Sequence, residues 1–320
     1  MPAISSVYNP KRLFKNGHFS TIYSAKFRSK ILLKQNRERI PLKDGDFMDI
    51  DWSYAKKPTN KVVILLHGLE GNSLRPYMKG ASLLLNNNDW DAVSVNFRGC
   101  SGDDNLLFRT YNAGVIDDLH EVIEHIINLN TYTEIALNGF SLGGNLIINY
   151  LGGHPNIPKE VTKAIVISAT LDLKGTLYKL NQSNNILYRT VFLKSLRNKY
   201  RKKVMSFPNL ASKAALKRIK SLLEFDTIYT APAHGYKDAW DYYEKCSGFQ
   251  YLEKITTPTY ILNAQNDTFL SSNSFPKELA KNSKFIHLET PKYGGHVGFY
   301  QPGRFYYSEI RMLAFLEGNL

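Results

Sequence analysis

The segment Glu134 to Leu151 constrains this chain more than any other. It runs from an apolar stretch, Glu134-Ile135-Ala136-Leu137, through Asn138-Gly139-Phe140-Ser141-Leu142-Gly143-Gly144, into a helical pattern, Asn145-Leu146-Ile147-Ile148-Asn149-Tyr150-Leu151. A short buried strand that feeds a packed helix through a tight turn is a building block of α/β sheets. The turn itself reads Gly-x-Ser-x-Gly. Leaving a strand and entering a helix within two or three residues makes an elbow that pushes the serine Oγ clear of the backbone. Glycines at 139 and 143 leave room where side chains would collide. The first turn of the helix offers unpaired N–H groups, including that of Leu142, to a nearby oxyanion. A tight surface turn can carry the same pattern, and the strand–turn–helix setting is what selects the elbow.

A nucleophilic serine needs oxyanion donors, a base, and an acid to orient the base. The apolar strand Lys61-Val62-Val63-Ile64-Leu65-Leu66 runs directly into His67-Gly68-Leu69-Glu70-Gly71-Asn72. The residue after the glycine of a strand-ending His-Gly is where this architecture places its second oxyanion donor, here the N–H of Leu69. His67 then has a structural reading, pinning the loop, in preference to a catalytic one.

Most of the eight histidines are set aside by position. His120 and His125 fall on an amphipathic helix from Gly114 to Leu129, and His287 lies inside the strand Phe285 to Glu289. His154 follows the helix after the elbow, and His18 and His234 lie outside the inferred sheet. His296, in Tyr293-Gly294-Gly295-His296-Val297-Gly298-Phe299, sits on a glycine-flanked loop able to reach over the sheet edge, and it is the candidate base. The acid should lie between serine and histidine in the chain. Asp267, in the turn after the strand Thr259 to Ala264, is preferred to Asp172, which follows the strand Ala164 to Ser168.

These residues carry a resemblance. Asn16-Gly17-His18-Phe19-Ser20-Thr21 looks like the Asn-Gly-His-x-x-Thr opening of the YheT-like α/β-hydrolases. The blocks His67 to Asn72, Asn96 to Gly102, Gly139 to Asn145, Asp226 to Pro232 and Gly294 to Phe299 resemble that family's blocks in the right order. The resemblance spans nearly the whole chain. It implies a carboxyl-ester hydrolase for short to medium acyl chains, with acyl transfer to alcohols in some relatives. One departure is Thr268, where the family often has proline after the triad aspartate, which touches turn rigidity and not the acid.

The remaining strands, near Phe47 to Tyr54, Val62 to Leu66 and Ala92 to Asn96, alternate with helical patterns. A mostly parallel sheet with helices on both faces is therefore expected, an α/β-hydrolase fold. The rhythm breaks between Leu173 and Gly248. The expected division is a core of residues 1–172 and 249–320, with a basic N-terminal segment over 1–40, and an inserted helical lid over 173–248 above the C-terminal edge of the sheet. Residues 173–223 carry 13 Lys and Arg and no Asp or Glu, matching the whole chain's formal net charge of +13. A solvated helical face, a lid that leans on anionic lipid or anionic substrates, and nucleic-acid binding compete for that charge. Nucleic acid is disfavoured because no recognised binding module is present.

No run of about 18 uncharged apolar residues exists to span a membrane. Met1 to Tyr8 lacks the charged start and apolar core of a secretory signal. Two cysteines are too few for a disulfide framework, so a reducing cytoplasm is the expected compartment. No metal-ligand signature appears, and no cofactor is expected. Two functions from different classes follow: a serine esterase with Ser141, His296 and Asp267 as triad, or a catalytically silent relative that recruits a membrane or partner through its basic lid. A dehalogenase would want a carboxylate at 141.

Overall fold

In the computed structural model the described residues are 3–28 and 30–320; Met1 and Pro2, the start of the stretch read for a secretory signal, lie outside them. The strands are β1 Ala3–Ile4, β2 Asn36–Pro41, β3 Phe47–Ser53, β4 Lys61–Leu66, β5 Asp91–Asn96, β6 Glu134–Phe140, β7 Val161–Ile167, β8 Thr259–Leu262 and β9 Ile286–Glu289. They form one nine-stranded sheet in the order β1-β9-β8-β7-β6-β4-β5-β3-β2. The pairs β2/β3 and β3/β5 are antiparallel and the others parallel.

The apolar runs form strands because both faces of the sheet are covered. Along β4, Val62, Ile64 and Leu66 join one hydrophobic cluster while Val63 and Leu65 join the other. The first cluster takes in α3 (Ile116–Asn128) and α4 (Leu142–Gly153), and the second α2 (Pro76–Asn86) and α12 (Tyr307–Leu316). Each such side chain, fully buried, contributes about 1.5–3 kcal/mol relative to exposure.

The edge strand β2 is the element that periodicity does not reveal, because its sequence, Asn-Arg-Glu-Arg-Ile-Pro, buries only Ile40. Its arginines pair across the sheet: Arg37 lies opposite Asp51 and Arg39 opposite Asp49, with guanidinium–carboxylate distances of 2.9 and 2.8 Å. Charged edges of this kind discourage pairing with another chain. Two basic residues of the N-terminal segment are thereby paired with carboxylates of β3.

Between β7 and β8 the chain builds α5 (Leu173–Leu180), α6 (Ile186–Ser206), α7 (Lys213–Arg218), α8 (Leu222–Phe225), α9 (Ala231–Ala233) and α10 (Ala239–Cys246). The remaining helices are α1 (Gly17–Lys26), before β2, and α11 (Lys277–Asn282), between β8 and β9. No helix among the described residues is long and apolar enough to cross a membrane.

Candidate active site

Parallel registry brings the C-terminal strand ends together: Leu66 lies beside Gly139, Ile167 beside Leu262, and Leu262 beside Glu289. The loops after β4, β6, β8 and β9 therefore converge at one edge, the usual ligand position in such sheets. Ser141 sits between β6 and α4 at φ 53° and ψ −116°. A non-glycine residue held there stores about 1–3 kcal/mol of strain. The Ser141 N–H donates to the Ile167 carbonyl at 2.9 Å, and the Ser141 carbonyl accepts from the Asn145 N–H at 3.1 Å, so both neighbouring elements hold the turn. A Cβ on Gly143 would lie 2.6 Å from the Leu66 carbonyl oxygen, a collision with backbone that explains the glycine.

His296 Nε2 lies 2.8 Å from Ser141 Oγ, and His296 Nδ1 lies 2.8 Å from Asp267 Oδ2. With Nδ1–H donating to Asp267, Nε2 is left to accept the serine proton. The Asp267 side chain is fully buried, and its other oxygen accepts the Phe269 N–H at 2.9 Å. The Phe269 ring stacks on the imidazole with centroids 4.2 Å apart. Asp172 is directed elsewhere: it caps α5 by accepting from the Gly175 N–H at 2.8 Å, and it accepts from Ser271 Oγ at 2.8 Å and Asn273 Nδ2 at 3.1 Å.

The clamp on the loops that carry Asp267 and His296 comes from α1, to which sequence reasoning assigned no role. The His296 N–H donates to Thr21 Oγ1 at 2.8 Å, Ser20 Oγ donates to the Gly294 carbonyl at 3.1 Å, and Ser24 Oγ to the Gly298 carbonyl at 2.9 Å. Asn266, next to Asp267, donates to the Lys15 carbonyl at 2.9 Å and accepts from the Gly295 N–H at 3.0 Å. The available signal was a row of hydroxyls at positions 20, 21 and 24 on one helical face, directly behind the Asn-Gly opening.

Near the serine, Leu142 is the first residue of α4, so its N–H has no intrahelical acceptor. The Leu69 N–H donates to no protein acceptor among the described residues. Gly68 brings that loop against the elbow, since a Cβ there would meet Ser141 Cβ at 3.1 Å. His67 holds the loop. It is fully buried, accepts the Phe97 N–H at Nε2 (3.2 Å) and directs Nδ1 to the Gly68 carbonyl (2.7 Å). Burial pushes its imidazole down to about 4, which keeps it neutral.

Glu70, the next turn residue at φ 53°, connects this loop to α6. Its carboxylate accepts from Tyr111 Oη at 2.7 Å, from Ser195 Oγ at 2.5 Å and from Lys199 Nζ at 2.8 Å. Burial opposes the charge on Glu70, but Lys199 outweighs it and holds the carboxyl below its ordinary range. The basic run of residues 173–223 is therefore not uniformly solvated. Lys199 is half-buried against Glu70, Lys203 is 4% exposed with Nζ 2.8 Å from Asn105 Oδ1, and Lys202 pairs with Asp104 at 2.7 Å. For Lys199 and Lys202 the rest of the chain supplies carboxylates, which residues 173–223 lack.

Lys199→Met is expected to lower the unfolding free energy by about 3–5 kcal/mol, because it leaves Glu70 buried without its cation. Adding Glu70→Gln, which still accepts from Tyr111 and Ser195, should recover most of the loss. Urea midpoints of the two variants check this; a single variant as stable as the parent would show that the pair contributes nothing.

Above Ser141, Leu69 and Leu142 opens a cavity with an empty volume of about 850 Å³, including the part open to solvent. Leu173, Leu177 and Leu180 of α5, Phe192 and Leu196 of α6 and Phe225 of α8 form its apolar wall. The arrangement can transfer a proton from a hydroxyl to an imidazole beside two free amide donors and an apolar chamber.

Residues 61–301 match the family model described as alpha/beta hydrolase fold. The chain is 32% identical to the Escherichia coli (strain K12) protein named "Putative esterase YheT", over 92% of this chain and 87% of that protein. It is 29% identical to the Homo sapiens protein named "Phospholipase ABHD3", over 93% of this chain and 75% of the relative, and 29% identical to a Saccharomyces cerevisiae "Monoacylglycerol lipase", over 78% and 57%. Among solved structures it is similar to the Pyrococcus furiosus esterase Pf2001, with a TM-score of 0.58, 16% identity, and coverage of 89% of this chain and 93% of that one.

Proposed function

The chain belongs to the α/β-hydrolase fold family, and from that premise we propose that it is a serine carboxyl-ester hydrolase acting through an acyl-enzyme. The observation that carries the reading is the unbroken path Ser141 Oγ, His296, Asp267, with 2.8 Å at each step, on the floor of an apolar cavity. The esterase and lipase names of the relatives support it.

In this reading His296 Nε2 takes the Ser141 proton as Oγ attacks the ester carbonyl carbon. The carbonyl oxygen becomes an oxyanion held by the N–H groups of Leu69 and Leu142. Collapse breaks the bond to the alkoxide, which leaves with the proton from His296 as an alcohol. Water then attacks the acyl-enzyme through the same base and releases the acid; an alcohol in its place gives a new ester. Short to medium acyl chains are the expected substrates, as the resemblance to the YheT-like hydrolases implies. The test is a panel of p-nitrophenyl esters from acetate to palmitate together with a fluorophosphonate probe. Hydrolysis peaking at short to medium lengths and covalent labelling of Ser141 are expected; labelling of a different serine would overturn the assignment.

The exposed part of the lid supports a second, compatible property, peripheral contact with anionic lipid. Lys194, Lys213, Lys217, Arg218 and Lys220 are exposed, and so are Leu187 (67%) and Val191 (66%) on α6. Each basic residue near an anionic surface adds about 1 kcal/mol, and the attraction fades with salt. The protein is expected to sediment with anionic vesicles and not with neutral ones, and duplex DNA should compete poorly. Changing Lys194, Lys213, Lys217 and Arg218 to Gln should release it; equal sedimentation of parent and variant returns the charge to a solvated role.

A further inference from the structure

Asp226 is a carboxylate on the wall of the acyl chamber that the mechanism above does not use. It opens a wide turn after α8, closed by the Ala231 N–H bonding to the Asp226 carbonyl. Widened helical turns of this kind are rare and recur at functional sites. One carboxylate oxygen accepts from Thr230 Oγ1 at 2.6 Å and the other from Tyr243 Oη at 2.6 Å. An ionised carboxylate has about four acceptor positions, so acceptor capacity remains on both oxygens. No basic side chain among the described residues pairs with it, and burial pushes the carboxyl up to about 6.

A second observation points to a ligand at this wall. Thr176, on α5, lines the same chamber and is 8% exposed, and its Oγ1 makes no hydrogen bond. Tyr242, also on the wall, accepts the Ala113 N–H at 3.1 Å, while its own proton has no acceptor among the described residues. Buried polar groups left in this state cost about 1–3 kcal/mol each, so an arrangement that served only hydrocarbon would be better built from leucine.

We propose that Asp226, with Thr176 and Tyr242, forms a polar subsite that binds a hydroxyl group carried by the substrate, so that the preferred esters are hydroxylated ones. This rests on the ester-hydrolase reading. A hydroxyl donates to Asp226 and accepts from Tyr242 or Thr176, using both kinds of group at once. An ammonium would satisfy the carboxylate alone and leave the Tyr242 proton unused, and a phosphate would be repelled by it. The hydroxyl can sit on the alcohol portion, as in a partial ester of a polyol, or on the acyl chain.

Three esters of equal acyl length separate these cases: ethyl octanoate, 1-octanoylglycerol and ethyl 3-hydroxyoctanoate. The parent protein is expected to show kcat/KM at least about tenfold higher for one hydroxylated ester than for ethyl octanoate, which corresponds to 1.4 kcal/mol. Which of the two gains identifies the side that carries the hydroxyl. Asp226→Asn should reduce that ratio about tenfold, and Thr176→Val, which removes a hydroxyl bonded to nothing in the protein, should reduce it several-fold even if Asp226→Asn folds poorly. The same preference should appear as a ratio of Kd values on Ser141→Ala, where no turnover occurs. A ratio near one in the parent, or one unchanged in both variants, overturns the subsite. Loss of all hydrolysis and of Ser141 labelling in the parent would instead overturn the esterase reading, with the Kd ratio still judging the subsite.

Discussion

Ser141→Ala is expected to lower kcat for ester hydrolysis by on the order of 10⁶ while leaving the protein folded. The two halves of that expectation have separate origins. Alanine keeps the Cβ and the same unusual backbone angles, so the strain at φ 53° is unchanged, and the only hydrogen bond lost is the 2.8 Å one to His296. The thermal midpoint should therefore move by no more than a few degrees. The activity loss follows because no other hydroxyl lies within hydrogen-bonding distance of His296 Nε2 among the described residues. A small residue of catalysis above the background rate should persist, since the Leu69 and Leu142 amides and the apolar chamber remain. Steady-state rates with p-nitrophenyl butyrate and the loss of fluorophosphonate labelling measure this. Retention of a tenth of the activity would place the nucleophile elsewhere.

What could be read from the sequence was local. Strand β4 and the elbow are contiguous, and their chemistry follows from neighbours a few residues apart. Asp267 and His296 could be reached because chain order in a parallel sheet restricts which loops share an edge. The α1 clamp could not, because Ser20 and Ser24 act on carbonyls 274 residues away, and a row of hydroxyls on one helical face does not show which distant loop it serves. Strand β2 was hidden for the opposite reason: an edge strand solvated on its outer side has no apolar period to read. The inward direction of Lys199 and Lys203 was equally out of reach. Charge runs show sign and not direction, and these two side chains point inward only because Glu70 and Asn105 arrive from distant loops to receive them.

Asp267→Asn is expected to lower kcat by roughly 10⁴, and Asp172→Asn to leave it near the parent value. The Asp267 carboxylate accepts the Nδ1 proton of His296, which leaves Nε2 unprotonated and facing Ser141. An asparagine at 267 can turn its N–H₂ toward Nδ1, which then serves as acceptor and moves the ring proton to Nε2, where it blocks transfer from the serine. The imidazolium that forms during attack also loses the buried negative charge that stabilises it. Asp172 bonds instead to the Gly175 N–H, to Ser271 and to Asn273, and asparagine caps helices about as well as aspartate. Its replacement should therefore cost only a little stability. Measuring kcat for both variants on one ester, with folding checked by circular dichroism, separates the two carboxylates. A large loss at 172 with little at 267 would move the acid to the turn after β7, and mild losses at both would mean that another group orients His296.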